Sequence, residues 1–324
     1  MRRREFIAAI GGAAAVWPLA TRAQEPGRIY RLGLMTASLK RVEPPIAAFF
    51  DELRVFGFVE GQNLKVDGGA YGPRDDQLPE IVAAMAKSPP DVIWCSTIAQ
   101  MRAAQEAVRT VPIVGMTTDM IATGLVKSFA RPDGNITGIS LLAPELDAKR
   151  QDIIIEAVPG VRRMAILADA NATAPQQLKA VQDAASARGI ELAIFTIHAP
   201  EDIMPVMNEI KTSGAAAINV LASPLLYANR RLIIERAAAL RLPAIYERPD
   251  MAEEGGLIGY GTPGTSIFRQ AARMVVKVLR GVKPADIPIE QPTSFELVVN
   301  LTAAQAIGHE VPAGLVLRAD KIIE

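Results

Sequence analysis

The chain alternates short runs of β-branched residues with longer stretches of helical period. A predicted strand at residues 29–35 precedes Ile46, Phe49 and Leu53, whose spacing of three and four is typical of one helix face, and Gly57 stands where that helix would end. The same order of strand and helix recurs through residues 64–116. This alternation favours a parallel sheet covered by helices on both faces.

A turn cluster at residues 131–135 interrupts the alternation, which then restarts with new strands and helices. No linker rich in glycine, serine or proline separates two independent halves. We therefore predict an α/β fold of two Rossmann-like lobes with parallel sheets, joined by crossover hinge strands near 136–142 and 257–261. The predicted divisions are 28–138 for the first lobe, 139–258 for the second, and 259–324 for a return to the first lobe and a C-terminal segment.

The first 23 residues have a different character. Three arginines, Arg2 to Arg4, precede an apolar run that ends near Leu19, and small residues lead to an A-x-A-like cleavage site at Ala23. The run is shorter than the roughly 20 residues of a membrane-spanning helix. The arginines followed by Glu5 and Phe6 resemble a twin-arginine export signal. We predict a signal peptide at 1–23, cleaved after about Ala23, and a periplasmic location.

Charge and cysteine content exclude several classes of partner. The 324 residues carry 35 basic and 35 acidic side chains; removing 1–23 takes away four arginines and one glutamate, which leaves a net charge of −3. Without a basic excess we predict no nucleic-acid partner. We also expect a monomer. One cysteine, Cys95, and two histidines, His198 and His309, form no disulfide or zinc-ligand pattern. We predict no metal and no cofactor.

A glycine-rich loop offers the one enzymatic alternative. Gly259, Gly261 and Gly264 match the G-x-G-x-x-G pattern of dinucleotide-binding folds. Pro263 lies inside the loop, however, and the motif comes near the end of the chain instead of in its first strand-to-helix turn. The sequence contains no P-loop, nucleophile-elbow or metalloprotease motif. We predict ligand binding without catalysis, with an NAD(P)-dependent enzyme that uses the 259–264 loop as the alternative.

Small hydroxyl, amide and acidic residues recur directly after the predicted strands. The strand ends of both lobes would face a common cleft, where hydroxyls and helix N-termini bind carboxylates and acidic side chains bind ammonium groups. Such residues are also favoured helix N-caps. The candidate ligand-binding residues are Ser38, Ser96, Thr97, Thr117, Thr118, Asp119, Asp169, Asn171, Ser223, Tyr246 and Glu247.

Several longer segments carry a family pattern. They are GFVEGQN at 57–63, ARPDGNITG at 130–138, RLPAIY at 241–246 and, most specifically, QPTSFELVVN at 291–300. In these segments the chain resembles substrate-binding proteins of ABC transporters, in the group that includes tryptophan- and tyrosine-binding proteins. The resemblance implies a type I periplasmic-binding fold that closes on a small organic solute, an amino acid or related carboxylate, and delivers it to a permease in the inner membrane.

Two questions stay open at this point. After the third strand the chain has Cys95-Ser96-Thr97-Ile98 where members of the family often have Gly-Gly-Thr-Pro, so an aromatic preference does not carry over directly. An extracytoplasmic sensor that presents its closed form to a membrane receptor would share the same fold. Trp94 would be the only tryptophan of the exported chain, and we expect its fluorescence to report closure.

Overall fold

The computed structural model describes residues 27–36, 41–70 and 77–324. The helices are α1 Pro44–Val55, α2 Leu78–Lys87, α3 Ile98–Ala107, α4 Ala143–Ala157, α5 Pro175–Ser186, α6 Ile203–Thr212, α7 Pro224–Ala228, α8 Arg230–Ala239, α9 Pro249–Glu253, α10 Gly264–Leu279, α11 Leu301–Ile307 and α12 Ala313–Val316. The strands are β1 Tyr30–Thr36, β2 Leu64–Ala70, β3 Val92–Cys95, β4 Ile113–Thr117, β5 Ile136–Ser140, β6 Arg163–Asp169, β7 Glu191–Ile197, β8 Ile218–Val220, β9 Ala244–Tyr246, β10 Ile258–Gly261, β11 Glu296–Asn300 and β12 Lys321–Ile323. The predicted signal peptide and Ser38 lie outside the described residues.

The strands form two separate sheets. The first has the order β2-β1-β3-β4-β5, and the second has the order β12-β11-β10-β9-β8-β6-β7. Neighbouring strands are parallel except for β10 and β11, which pair antiparallel. Helices cover both faces of each sheet, as strands that are buried on both sides require. The predicted α/β fold with two parallel-sheet lobes is confirmed.

Helix α1 shows how the apolar pattern builds the first lobe. Ile46, Phe49 and Leu53 are buried on one face, and the Phe49 ring lies 5.9 Å from the Trp94 ring, measured between centroids. Helix α1 packs against α10 in the same apolar cluster. Gly57 adopts φ 90°, in the left-handed region, and ends the helix as its position predicts.

The chain passes between the lobes at several points. Strand β5 of the first sheet leads through residues 140–143 into α4 of the second lobe, and β10 of the second sheet leads through 261–264 into α10 of the first. Residues 287–290 then run along the edge of β5, where the Glu290 N–H donates to the Gly138 carbonyl at 2.9 Å, before the chain returns to β11. These short segments are natural hinge positions.

The path of residues 259–324 differs from the predicted return to the first lobe. Helix α10 and residues 287–290 do pack there, but β11, α11, α12 and β12 belong to the second lobe. The reason is the antiparallel pairing of β10 with β11, in which Ile258 lies opposite Val299. Val298 and Val299 are fully buried, so this strand needs the interior of a sheet. The second lobe therefore spans two separate stretches of sequence.

Candidate ligand cleft

The carboxyl ends of both sheets face the gap between the lobes. Strand β5 leaves the first sheet at its carboxyl end to enter the second lobe, and β10 leaves the second sheet at its carboxyl end to enter the first. Arg248, after β9, reaches across this gap: a Cβ built on Gly264 would lie 2.9 Å from the Arg248 Nη1 and 3.2 Å from the Pro45 Cγ. The loops that follow the strands therefore line a cleft, where open α/β sheets bind ligands.

Ser96 and Thr97 lie at the first-lobe side of the cleft, at the start of α3. The Thr97 hydroxyl accepts from the Gln100 N–H at 3.2 Å, while the Gln100 Oε1 accepts from the Thr97 N–H at 3.2 Å and from the Ser96 N–H at 2.8 Å. This is a complete capping box. Both residues are half-buried, and their local roles are those of helix caps.

The loop after β4 carries Thr117, Thr118 and Asp119. One Asp119 carboxylate oxygen accepts from the N–H groups of Ile121 and Ala122, each at 2.9 Å. The threonines are buried, and the Thr117 Oγ1 has no hydrogen-bond partner within the described part of the chain. An unpaired buried hydroxyl costs free energy unless a ligand or water meets it, so Thr117 stands out in this loop.

On the second-lobe side, Asp169, Asn171 and Ser223 form one linked group. The Ser223 hydroxyl donates to the Asp169 Oδ2 at 2.6 Å and accepts from the Leu225 N–H at 3.1 Å, which caps α7. The other Asp169 oxygen accepts from the Asn171 N–H at 2.8 Å, and the Asn171 amide donates to the His198 carbonyl at 3.1 Å. The structure thus joins the loops after β6 and β8 at one edge of the sheet.

Tyr246 and Glu247 are neighbours in sequence with different surroundings. Tyr246 is 1% exposed and packs in the apolar core of the second lobe beside Gly256, so its ring does not contribute to the cleft surface. Glu247 is half-buried at the end of β9. Burial raises the pKa of the Glu247 carboxyl to about 8, although the nearby Arg150 guanidinium acts in the opposite direction.

A buried charged network behind the cleft escaped sequence analysis. Arg150 donates to the Asp147 carboxylate, to the Glu247 carbonyl at 3.3 Å and to the Tyr260 carbonyl at 2.9 Å. The Gln177 amide donates to the other Asp147 oxygen. Asp147 is fully buried and Arg150 is 1% exposed. The available signal was a pair of charges at i and i+3 on the buried face of a helix. Because the network fixes the ends of β9 and β10, it shapes the floor of the cleft.

Arg248 is the second residue that sequence analysis missed. Its guanidinium lies over the Tyr227 ring, with the carbon atom Cζ 3.2 Å from the ring centroid, and the Tyr227 hydroxyl donates to Asp250 at 2.7 Å. Its Nε is buried and makes no hydrogen bond. Burial lowers the pKa of the Arg248 guanidinium, and the carboxylates of Asp250 and Glu254 act against that shift.

The glycine-rich loop is explained by close packing of strands. A Cβ on Gly259 would lie 2.4 Å from the Arg248 carbonyl oxygen, and one on Gly261 would lie 2.2 Å from the Glu247 carbonyl oxygen. Both distances are too short for any side chain, so glycine lets β10 run against the end of β9. The G-x-G-x-x-G match therefore reflects the crossover geometry and gives no support to a dinucleotide site.

Three further features bear on metal binding, membrane insertion and thiol chemistry, each within the residues that the structure describes. Those residues contain no cluster of three or more metal-ligating side chains, and none of their helices combines the length and apolarity needed to cross a membrane. Burial raises the pKa of the Cys95 thiol, which suppresses the nucleophilic thiolate. A groove of about 550 Å³ lies between α10 and residues 290–294, and its lining includes Thr262 and Ser266.

Known proteins share this fold and parts of this sequence. A structure of a conserved domain protein from Vibrio cholerae covers 91% of the chain and 100% of its own length, with 24% identity and a TM-score of 0.83. A domain from Streptococcus pneumonia, solved in complex with L-Trp, covers 91% and 100%, with 21% identity and a TM-score of 0.82. A curated "Tyrosine-binding protein" from Clostridioides difficile is 23% identical over 268 residues, which are 80% of this chain and 75% of the relative.

The two lobes and the cleft between them define the class of periplasmic-binding-type, two-lobed α/β proteins. Within this class, a family model described as "ABC transporter substrate binding protein" matches residues 46–323. Because that match spans most of the chain, the protein belongs to the family of ABC transporter substrate-binding proteins.

Proposed function

We propose that the protein binds a small amino acid or related carboxylate between its lobes in the periplasm and delivers it, without chemical turnover, to an ABC transporter permease. The observation that carries this proposal is that an acidic and a basic side chain stand next to each other at the end of β9. Glu247 offers a carboxyl for an ammonium group, and Arg248 offers unbonded donors for a carboxylate. A zwitterion placed between the lobes would meet both.

The energetics suit a reversible carrier. Micromolar binding corresponds to about 8 kcal/mol, which a few charge-assisted hydrogen bonds and one apolar contact in a closed cleft supply. The names of two similar proteins, one tyrosine-binding and one solved with L-Trp, support an amino acid as the solute. Hinge closure at residues 140–143 and 261–264 would hide the solute and create the surface that a permease recognises.

The test begins with the exported chain, residues 24–324, purified without denaturation. Solute that copurifies is released by acid and identified by mass spectrometry, and the stripped protein is screened against the twenty L-amino acids and simple carboxylates by thermal unfolding. Trp94 emission is a second readout, because its ring packs on α10, directly after a crossover. We expect stabilisation of about 2.7 kcal/mol at one hundred times Kd.

The contradicting results are equally concrete. If no amino acid or carboxylate changes the melting temperature, the proposed solute class is wrong. If NAD or NADP stabilises the protein instead, the enzymatic alternative replaces it. Delivery is tested separately by uptake of the identified solute in cells with and without the chain, and unchanged uptake would contradict a transport role.

A further inference from the structure

Arg248 occupies a position that joins the two lobes. It lies two residues after β9 at the carboxyl edge of the second sheet. Its Nη1 lies next to Gly264 and Pro45, which are in the first turns of α10 and α1 of the first lobe. A group that binds this guanidinium would therefore contact both lobes at once.

The guanidinium is oriented but not hydrogen-bonded. Its side chain is 11% exposed, and Asp250, the carboxylate it pairs with, has its Oδ1 3.8 Å from the Arg248 Nε, beyond hydrogen-bond distance. The other Asp250 oxygen already accepts from the Tyr227 hydroxyl at 2.7 Å. Stacking on the Tyr227 ring holds the plane of the guanidinium and leaves its N–H donors open. An arginine in this state is prepared for an incoming planar anion.

The start of α10 presents further donors at the same place. The N–H groups of Ser266 and Ile267 both donate to the Pro263 carbonyl, at 3.0 and 3.2 Å, whereas those of Gly264 and Thr265 have no acceptor among the described residues. Helix α10 has 16 residues, and the first N–H groups of a helix carry partial positive charge. A cation of one lobe and a helix N-terminus of the other therefore converge.

We propose that Arg248, together with the N–H groups of Gly264 and Thr265, binds the carboxylate group of the solute. This inference rests on the proposed function and assigns one half of the solute to a named subsite. Because the donors come from both lobes, a carboxylate bound here favours the closed arrangement over the open one. A solute without a carboxylate loses that advantage.

The decisive experiment pairs a change in the protein with the same change in the solute. The probes are L-tyrosine, L-tryptophan and L-leucine with their carboxamides, titrated calorimetrically into wild-type protein and Arg248→Met. We expect wild type to bind at least one acid about 10- to 100-fold more tightly than its amide, the range for a charge-assisted hydrogen bond. In Arg248→Met the acid should weaken by a similar factor, so that acid and amide bind alike.

Controls separate recognition from folding. Arg248→Lys keeps the charge but not the planar fork, and we expect it to recover part of the preference for the acid. Arg318→Met removes an exposed arginine that pairs with Glu156, and it should leave both affinities unchanged. In Gly264→Ala the residue has an ordinary helical φ, so the helix is retained while the new Cβ takes the space of the Arg248 Nη1; it should weaken the acid more than the amide.

The outcomes distinguish failure of the carboxylate subsite from failure of the amino acid assignment. If Arg248→Met and Gly264→Ala both bind the acid with the wild-type preference over the amide, the carboxylate lies elsewhere and only this inference fails. If wild type binds neither these three acids nor any other of the twenty L-amino acids, the inference fails together with the amino acid assignment. If Arg248→Met does not fold, the comparison of acid with amide in wild type and Gly264→Ala still decides between these results.

Discussion

The carboxyl edges of the two sheets face the same cleft but are built differently. In the first lobe, the Thr97 and Asp119 side chains accept from backbone N–H groups close by in sequence, and Ser96 donates to the Gln100 side chain four residues on. In the second lobe, Arg150 bonds to the Tyr260 carbonyl, 110 residues away. Buried charged side chains within the described residues all lie in this second lobe: they are Asp147, Arg150 and Asp169.

This difference indicates that the two lobes contribute to the site in different ways. Neutral hydroxyls and helix N-termini on one side suit a group that must be released, because they bind without a large desolvation cost. Buried charges on the other side hold the Tyr260 carbonyl of β10 and the Glu247 carbonyl in the loop after β9, which also carries Arg248. Under the proposed function, we expect the second lobe to set the geometry of the site and the first lobe to complete it on closure.

The largest effect is expected for Arg150→Met, which tests whether the buried charged network stabilises the second lobe. This change leaves the Asp147 carboxylate buried without its cation, which costs about 3–5 kcal/mol in the free energy of unfolding. Urea unfolding followed by circular dichroism measures it. The double variant Asp147→Leu, Arg150→Met should recover part of the loss, because both charges are then gone. A cost below about 1 kcal/mol for the single variant would show that the network does not stabilise the second lobe.

A smaller effect is expected at the crossover of β10. Gly261→Ala places a Cβ 2.2 Å from the Glu247 carbonyl oxygen and 3.6 Å from the Arg150 Nη1, so the strand must shift at a cost of about 1–3 kcal/mol. Gly314→Ala is the matched control, since no atom lies within 4 Å of its Cβ. Thermal unfolding of the two variants should therefore differ. Equal melting temperatures would contradict the close packing that explains the glycine-rich loop.

Removing one helix cap in each lobe compares the two cleft edges directly. Thr97→Ala removes a cap that bonds only to nearby groups of α3, and we expect a loss of about 1 kcal/mol. Ser223→Ala removes a cap and also leaves the buried Asp169 Oδ2 without its donor, so its loss should be larger, about 2 kcal/mol. Denaturant unfolding of both variants in parallel gives the order. If Thr97→Ala costs more, the second-lobe contact is the weaker one.

The pH dependence of binding probes Glu247. Because burial raises the pKa of this carboxyl to about 8, it is mostly protonated at pH 7, and an ammonium group binds the ionised form. Affinity for an amino acid should therefore rise about fivefold from pH 7 to pH 8, as calorimetry at the two pH values would show. Glu247→Gln should remove this rise. A rise that persists in Glu247→Gln would assign the titration to another group.

The fold was accessible from sequence because its signals are local. The stripe of Ile46, Phe49 and Leu53 and the stop at Gly57 each depend on residues a few positions apart, and the structure confirms both. Strand β12 was not anticipated, because it has only three residues, of which Lys321 and Ile322 are exposed, and they carry no alternating pattern. The path of the C-terminal residues differs from the prediction because β10 pairs with β11, and a long stretch of sequence that includes the 16-residue helix α10 separates these two strands.

The site was accessible only in part, for a related reason. Residues that follow strands could be named from position alone. The structure places Thr97 and Ser223 at strand ends as helix caps and Asp119 in a turn that its own carboxylate stabilises. Position after a strand does not identify a cleft residue at Tyr246, because its ring packs into the core. Position also does not identify Arg150 and Arg248, whose roles depend on distant partners. Their role in ligand binding stays a prediction until a bound solute is seen.

The most direct test is a crystal structure of the exported chain grown with the amino acid that gives the largest thermal shift. We expect electron density for one solute between the lobes, with its carboxylate within hydrogen-bond distance of Arg248 and the N–H groups of Gly264 and Thr265. Density in the groove between α10 and residues 290–294, with the cleft occupied only by water, would contradict a cleft that closes on a small carboxylate.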